Sequence, residues 1–361
     1  MNPHLFAVIL AGGKGERFWP LSTSSRPKQF LSVVGNKPLL AAAVDRLGGF
    51  IPPRNVFIIT RAELVAATRK VAPKVPAANI IGEPVGRDTA AAIALGAALV
   101  KARDPRGIFC VLTADHLIGD IPLFHRTLQA CAEVAVRDGA LVTIGIKPST
   151  PDTGYGYIEA GRGGFKKGAA RFFKAKRFVE KPDLATARKY VASGRFYWNS
   201  GMFVWSVDGL EKAMLRHAPE LAALMQRFEK VAGTSRLAGA LNRIYPKLPK
   251  ISIDYALMEK ADNIVMAGGV FKWDDVGSWT ALEQHIRKGA DGNFVIGDCR
   301  GLASSGNIVV SEKRLTALVG VRDLVVVQAS GVTLVCNKHS AQDIKKLVEK
   351  LRSLGKYDEV L

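Results

Sequence analysis

The chain predicts an α/β protein: a Rossmann-like, mostly parallel sheet flanked by helices, with a small β domain following it. Three observations carry that expectation. Short apolar runs alternate with helical patterns through the first 150 residues, strand-like segments punctuated by Gly, Pro and Asn fill the middle, and five short apolar runs close the sequence. Strands that alternate with helices give a parallel sheet covered on both faces. Ligands in such sheets bind beyond the carboxyl ends of the strands.

In order, LFAVIL starting at Leu5 is the first core strand, followed by a helix near Pro38–Leu47, the strand VFIIT and a helix near Arg61–Val71. A long Ala-rich helix from Thr89 to Arg103 precedes IFCVLTAD, a helix near Pro122–Arg137 and the strand LVTIGI. From Thr153 the segments YGYIEAG, AKRFVEKP and WNSGMFVWSV read as a partly antiparallel lid over the sheet, about residues 153–260. Helical patterns cover Gly209–Lys230, and SIDYALMEK forms a further short helix. The runs FVI, IVV, ALVGV, LVVV and TLVC then predict a small β domain over residues 291–361, closed by an amphipathic helix at Ala341–Leu354. Residues 1–290 form the larger domain.

At 361 residues, with 48% apolar and 23% charged side chains, the chain is long enough for about two domains and has the composition of a globular enzyme. No apolar run approaches the roughly 18 residues of a transmembrane helix. The stretch at Leu5–Ala11 lacks a basic leader and runs directly into GGKGERF, so it reads as a strand and the protein is expected to be cytoplasmic. Cys110, Cys131, Cys299 and Cys336 form no C-x-x-C pair, which leaves free thiols as the expectation and argues against zinc. The formal charge of +19 includes a cluster at Lys166, Lys167, Arg171, Lys174, Lys176 and Arg177. Only Phe172 and Phe173 interleave with it, so a solvated hairpin is expected and not a nucleic-acid surface.

The chemistry concentrates in a glycine-rich loop. LAGGKGERFWPLS does not fit a P-loop, because neither Gly-Lys pair is followed by Ser or Thr. It also fails the dinucleotide fingerprint, with Phe18 at the third glycine's place. Gly12, Gly13 and Gly15 suit a close approach of backbone N–H groups to phosphates. Arg17 adds a planar cationic fork and Lys28 a mobile point charge. Asp115 ends the strand IFCVLT at the ligand edge, and Asp275 lies among aromatics and glycine in KWDDVGSW. Two carboxylates with phosphate oxygens and water make a Mg²⁺ site, for which Mn²⁺ can substitute. Asp274 competes with Asp275, and spacing alone does not choose between them. All four side chains, Arg17, Lys28, Asp115 and Asp275, are required to converge on one cleft.

The segments LAGGKGERFWPLS…RPKQF, GEPVGRDTAAAI, LTADH, TGYGYI, FVEKP, WNSGMF, SIDYALMEK and DDVGSW occur in the order found in sugar-1-phosphate nucleotidylyltransferases, and the chain resembles that family over roughly residues 5–340. RPKQF, FVEKP with WNSGMF, and SIDYALMEK point to its mannose/GDP branch. The resemblance implies the nucleotide-diphospho-sugar transferase type of fold, with a short left-handed β-helix as the C-terminal domain. It implies transfer of GMP from GTP to mannose 1-phosphate, giving GDP-mannose and pyrophosphate, with no nucleic-acid or membrane partner and with a homodimer open to it. No isomerase domain of the kind carried by bifunctional relatives is expected.

By the same resemblance Leu10, Ala11, Gly12, Gly13 and Gly15 lie along the nucleotide, with Arg17 and Lys28 on its phosphates. Glu83 and the Arg87-Asp88-Thr89 turn face the base. Glu180 and Asn199 bind sugar hydroxyls, Lys181 the sugar phosphate, and Gly156 admits the backbone. Asp88 stands where Asn is common in the family, and Thr113 where Pro is common. Three alternatives stay open: the same chemistry with glucose 1-phosphate or with UTP, dTTP or ATP, a silent nucleotide-sugar sensor, and a nucleic-acid binder.

Overall fold

The computed structural model describes residues 2–361, which divide into two compact units. One comprises the chain through Gly12, Val44–Ala114 and Ile118–Trp273; the other comprises Gly13–Ala43, Asp115–Leu117 and Asp274–Leu361.

The first unit is built on a ten-stranded sheet. Its strands are β1 (Leu5–Ala11), β2 (Val56–Arg61), β3 (Ile80–Glu83), β4 (Ile108–Thr113), β5 (Leu141–Ile146), β6 (Tyr157–Ala160), β7 (Phe165–Lys167), β8 (Ala170–Val179), β9 (Phe196–Ser206) and β10 (Ile264–Gly269). The spatial order is β3-β2-β1-β4-β9-β5-β10-β8-β6, with β7 paired to β8. Strands β1 to β4 are mutually parallel, and their apolar side chains are buried on both faces, as a helix-covered parallel sheet requires. The Ala-rich helix Asp88–Arg103 is buried around most of its circumference, packing against the sheet and the helix Pro219–Glu229.

The strands expected in a lid are part of the sheet itself. Strands β6, β8 and β9 are hydrogen-bonded into the sheet, β8 and β6 at the end of its order and β9 in its interior. Met202, Phe203, Val204 and Trp205 of β9 are all buried, which suits an interior strand, and β9 runs antiparallel between β4 and β5. The helical pattern Gly209–Lys230 splits at Ala218-Pro219 into Val207–His217 and Pro219–Glu229, because proline is accepted only in a first turn. SIDYALMEK yields a single π-helical turn, Asp254–Met258. The basic cluster sits on the exposed β7–β8 hairpin, where Lys167 pairs with Glu133 at 2.8 Å and Arg177 with Glu159 at 2.8 Å.

In the second unit all five apolar runs are strands, together with a sixth, more polar one. The strands are β11 (Phe294–Ile296), β12 (Cys299–Leu302), β13 (Ile308–Ser311), β14 (Thr316–Val319), β15 (Leu324–Ala329) and β16 (Val332–Asn337). Parallel pairing of β11, β13 and β15, and of β12 with β14, stacks successive coils of chain. Buried Asn293 and Asn307 bridge adjacent coils: the Asn293 Oδ1 accepts from both the backbone N–H and Nδ2 of Asn307 at 2.9 Å. The helix Ile344–Ser353 closes this stack by burying Ile344 and Val348. The glycine-rich segment shares its core: Phe18, Trp19, Leu21, Leu31 and Val33 pack in one cluster with Val276, Trp279, Ile308, Val325, Ile344 and Val348.

Candidate active site

The second unit holds a cleft of about 370 Å³ lined by Lys14, Gly15, Glu16, Arg17, Phe18, Lys28, Asp115, His116, Asp275, Gly277 and Lys345. The structure therefore brings Arg17, Lys28, Asp115 and Asp275 to a common cavity. Gly15 sets the turn that does this. Its φ is +66°, and a Cβ there would lie 2.9 Å from the Lys28 backbone nitrogen and nearer still to the Lys28 Cβ. Ser22 Oγ donates to the Gly15 carbonyl at 2.7 Å and holds the turn shut. Gly13, by contrast, faces open space, so the fold does not demand glycine there and its backbone is available to a ligand.

Lys28 is 6% exposed, an unusual burial for an ammonium. Its Nζ donates to Asp115 Oδ2 at 2.9 Å and to the Asp275 carbonyl at 2.5 Å, and lies 5.7 Å from the centre of the Phe18 ring. These partners fix the cation in place. Burial would raise the Asp115 carboxyl, but the charges of Lys28 and His116 and the Lys28 hydrogen bond outweigh it and hold the group below the usual carboxylate range. Asp115 is thus an anion at neutral pH. Arg17 Nη1 reaches the Gly277 carbonyl at 3.4 Å, a long bond, and the side chain lines the cleft.

The choice between the neighbouring aspartates follows from their contacts. Asp274 accepts from the Val276 N–H at 2.6 Å and pairs with His285 Nε2 at 2.7 Å, so it holds the turn. Asp275 is the one that lines the cleft. Val276, the next residue, is β-branched, fully buried and has a φ of +49°. That conformation costs on the order of 1–3 kcal/mol and sits where such strain tends to cluster, beside a site. Among the described residues no group of three or more His, Cys, Asp or Glu side chains forms a self-sufficient metal cage. A pair of carboxylates suits a hard ion that takes its remaining ligands from phosphate and water.

The first unit carries the other predicted residues. Leu10 and Ala11 end β1, where the Ala11 carbonyl accepts from Thr60 Oγ1 at 3.0 Å, and a Cβ on Gly12 would lie 3.3 Å from Glu83 Oε2. Glu83 ends β3 and accepts from Tyr245 Oη at 2.8 Å. Burial pushes the Glu83 carboxyl up to about 7, opposed by the Tyr245 bond and helped by the negative charge of Asp88. Arg87 is committed elsewhere: Nε donates to the Tyr245 carbonyl at 3.2 Å and Nη2 to that of Pro246. Thr89 Oγ1 likewise accepts from the Ile253 N–H at 2.9 Å. Asp88 has a φ of +64°, a conformation that Asn and Asp both tolerate, so the departure from Asn preserves the backbone. Thr113, the second departure, leaves its hydroxyl buried without a partner.

Glu180, Lys181, Asn199 and Gly156 do meet in this unit. A Cβ on Gly156 would come within 2.6 Å of Glu180 Oε2, and the Gly156 carbonyl accepts from the Asn199 N–H at 2.8 Å. Lys181 pairs with Glu180 at 2.5 Å. Asn199 is the last residue paired, with Gly145, before the register of β9 shifts ahead of Phe203, and such bulges are common near sites. Asn199 Nδ2 then donates to Asp254 Oδ1 at 2.8 Å. Sequence reasoning misses Asp254 as a site residue; burial raises its carboxyl, the Asn199 bond opposes this, and Glu180 adds repulsion. Its location in the π-helical turn of SIDYALMEK is the available signal.

A sheet with ligand groups at its strand ends, and a glycine-rich turn that sets cations against carboxylates, define a nucleotide-handling transferase. Residues 6–291 match the nucleotidyl transferase family and residues 297–351 a mannoseP isomerase/GMP-like β-helix domain. The chain belongs to the nucleotidyl transferase family. It is 38% identical over 352 residues to a mannose-1-phosphate guanylyltransferase of Escherichia coli, an alignment covering 96% of this chain and 74% of that protein. It is equally similar, at 38% over 352 residues, to one from Klebsiella pneumoniae, with the same coverage of 96% and 74%. The crystal structure of a mannose-1-phosphate geranyltransferase from Thermus thermophilus superposes with a TM-score of 0.85 at 35% identity, covering 97% of this chain and 99% of that one.

Proposed function

We propose that this protein transfers GMP from GTP to mannose 1-phosphate, releasing pyrophosphate and forming GDP-mannose. The observation that carries the reading is the charged cleft in which Lys28 and Arg17 face Asp115 and Asp275. Relatives at 38% identity named mannose-1-phosphate guanylyltransferase support the choice of substrates.

In this reading a phosphate oxygen of mannose 1-phosphate forms a bond to the α-phosphorus of GTP. The bond from that phosphorus to the bridging β-phosphate oxygen breaks, and its electron pair leaves with pyrophosphate. The attacking phosphate is already ionised at neutral pH, so no general base is required, and catalysis reduces to alignment and charge neutralisation. Lys28, fixed by Asp115 and the Asp275 carbonyl, and Arg17, fixed by Gly277, offset charge on the triphosphate. Asp115 and Asp275 are the residues that would hold Mg²⁺ or Mn²⁺. When bound, such an ion neutralises charge on the phosphate oxygens.

In the first unit, Glu83 accepts from the guanine N–H donors with Oε2 while Tyr245 occupies Oε1. Arg87 and Thr89 shape that site through the carbonyls of Tyr245 and Pro246 and the N–H of Ile253. Glu180, Asn199 and Asp254 bind sugar hydroxyls, and Lys181 takes the sugar phosphate.

The test is pyrophosphate release over a panel of GTP, UTP, dTTP and ATP with mannose 1-phosphate and glucose 1-phosphate. Turnover confined to GTP with mannose 1-phosphate is expected. Equal or better turnover with another pair would replace the assigned substrates, and no turnover with any pair would remove the enzymatic reading.

A further inference from the structure

One wall of the phosphate cleft comes from the far end of the chain. Lys345, in the helix Ile344–Ser353, lines the cavity beside Lys14, Arg17 and Lys28. We propose that Lys345 is a phosphate ligand for the nucleoside triphosphate, so that the C-terminal β-helix unit takes a direct part in substrate binding. This rests on the guanylyl-transfer reading for the identity of the nucleotide and on the geometry below for the role of the side chain.

The charge of the cleft gives the first reason. Its other permanent cations, Lys14, Arg17 and Lys28, are matched by Glu16, Asp115 and Asp275. Glu16 is shared with Arg352, which pairs with it at 3.1 Å, so the lining is already short of negative charge and Lys345 adds a fourth cation to it. Its position is also unfavourable for a purely structural residue. It is the second residue of its helix, where the macrodipole disfavours a cation, and Asp343 supplies no side-chain cap. Its ion pair with Glu349 is 3.7 Å long between half-exposed groups and compensates little. The adjacent Lys346 is different: it pairs with Asp343 at 2.7 Å, is 81% exposed and does not line the cleft.

Preorganisation is the second reason. Ile344 and Val348 share a core with Phe18 and Trp19. Arg352 pairs with Glu16 at 3.1 Å, and Trp19 Nε1 donates to the Val360 carbonyl at 2.8 Å. The Leu361 carbonyl accepts from both Ser24 N–H and Ser24 Oγ, at 2.7 and 2.8 Å. The helix and the glycine-rich turn are therefore tied together, and the backbone that carries Lys345 is placed before any ligand arrives.

The test compares Lys345→Ala, Lys345→Arg and the control Lys346→Ala with the parent protein. GTP and inorganic pyrophosphate are titrated calorimetrically, and KM is measured separately for GTP and mannose 1-phosphate. Loss of one half-exposed phosphate contact should weaken GTP and pyrophosphate binding about tenfold. Lys345→Arg should keep most of the affinity, while the melting temperature, the KM for mannose 1-phosphate and the behaviour of Lys346→Ala stay unchanged. Lys345→Ala binding both ligands as the parent does would overturn the proposal, as would a rise confined to the KM for mannose 1-phosphate. Parent protein that binds pyrophosphate through Lys345 but ignores GTP would support the proposal while refuting the choice of nucleotide.

Discussion

Replacing Gly15 with alanine should damage catalysis more than stability. The new Cβ would start 2.9 Å from the Lys28 nitrogen and 3.1 Å from its Cα. Ordinary carbon contacts lie near 3.5 Å and the Lys28 Cβ is nearer still, so the two chain segments must separate by roughly 1 Å. The left-handed φ of +66° adds about 1–2 kcal/mol for a side chain, and overpacking against backbone about 1–3 kcal/mol. Together these lower stability by roughly 2–5 kcal/mol, which a large core survives. Lys28 moves with the backbone, however, and its bonds to Asp115 and the Asp275 carbonyl tolerate little displacement. A misplacement approaching 1 Å costs on the order of 10²-fold in rate. The assay is pyrophosphate release at saturating GTP, alongside a thermal melt. Gly13→Ala, which meets nothing within 4 Å, should melt with the parent and shows what an unobstructed substitution does. Undiminished kcat in a folded Gly15→Ala protein would refute the claim that this turn positions Lys28.

Other outcomes follow from the same contacts. Asp115→Asn and Asp275→Asn should each lose at least about 10²-fold in kcat, and Asp115→Asn should also melt earlier, because it removes the counter-ion of the buried Lys28. Asp274→Ala should instead melt early, by about 1–3 kcal/mol, because it unpairs the Val276 N–H and His285. Burial sets the Glu83 carboxyl at about 7, above its unfolded value of 4.5, so its contribution to stability falls as pH rises between those values and is lost above about 7. GTP affinity should rise over the upper part of that range as the carboxylate forms, and Glu83→Gln should flatten both trends. Asp254→Ala should raise the KM for mannose 1-phosphate about tenfold or more while GTP binding, followed by calorimetry, is unchanged.

Much of the fold is legible in the sequence because the signals are local. The runs LFAVIL, VFIIT, IFCVLT and LVTIGI are apolar on both faces, as strands in the interior of a helix-covered sheet are. Strand β3 escapes such a reading because IIGE has too few apolar residues to announce a strand, although Glu83 at its end is flagged by resemblance. The lid expectation fails for a reason spacing cannot supply: strand pairing partners are chosen over long separations, and β9 inserts between β4 and β5. Among candidate site residues, Asp115 and Asp275 announce themselves by motif, whereas Tyr245 and Lys345 gain meaning only from Glu83 and the cleft beside them.

The shared core of Phe18, Trp19 and Leu21 with Ile308, Val325 and Ile344 bears on synthesis. Residues 13–43 leave the ribosome early, yet the hydrophobic partners that give them shape are translated some 250 residues or more later. Closing so long a loop is slow, so the glycine-rich turn is expected to acquire its form late in folding. A nascent chain would carry its nucleotide signature for most of its elongation without being able to use it.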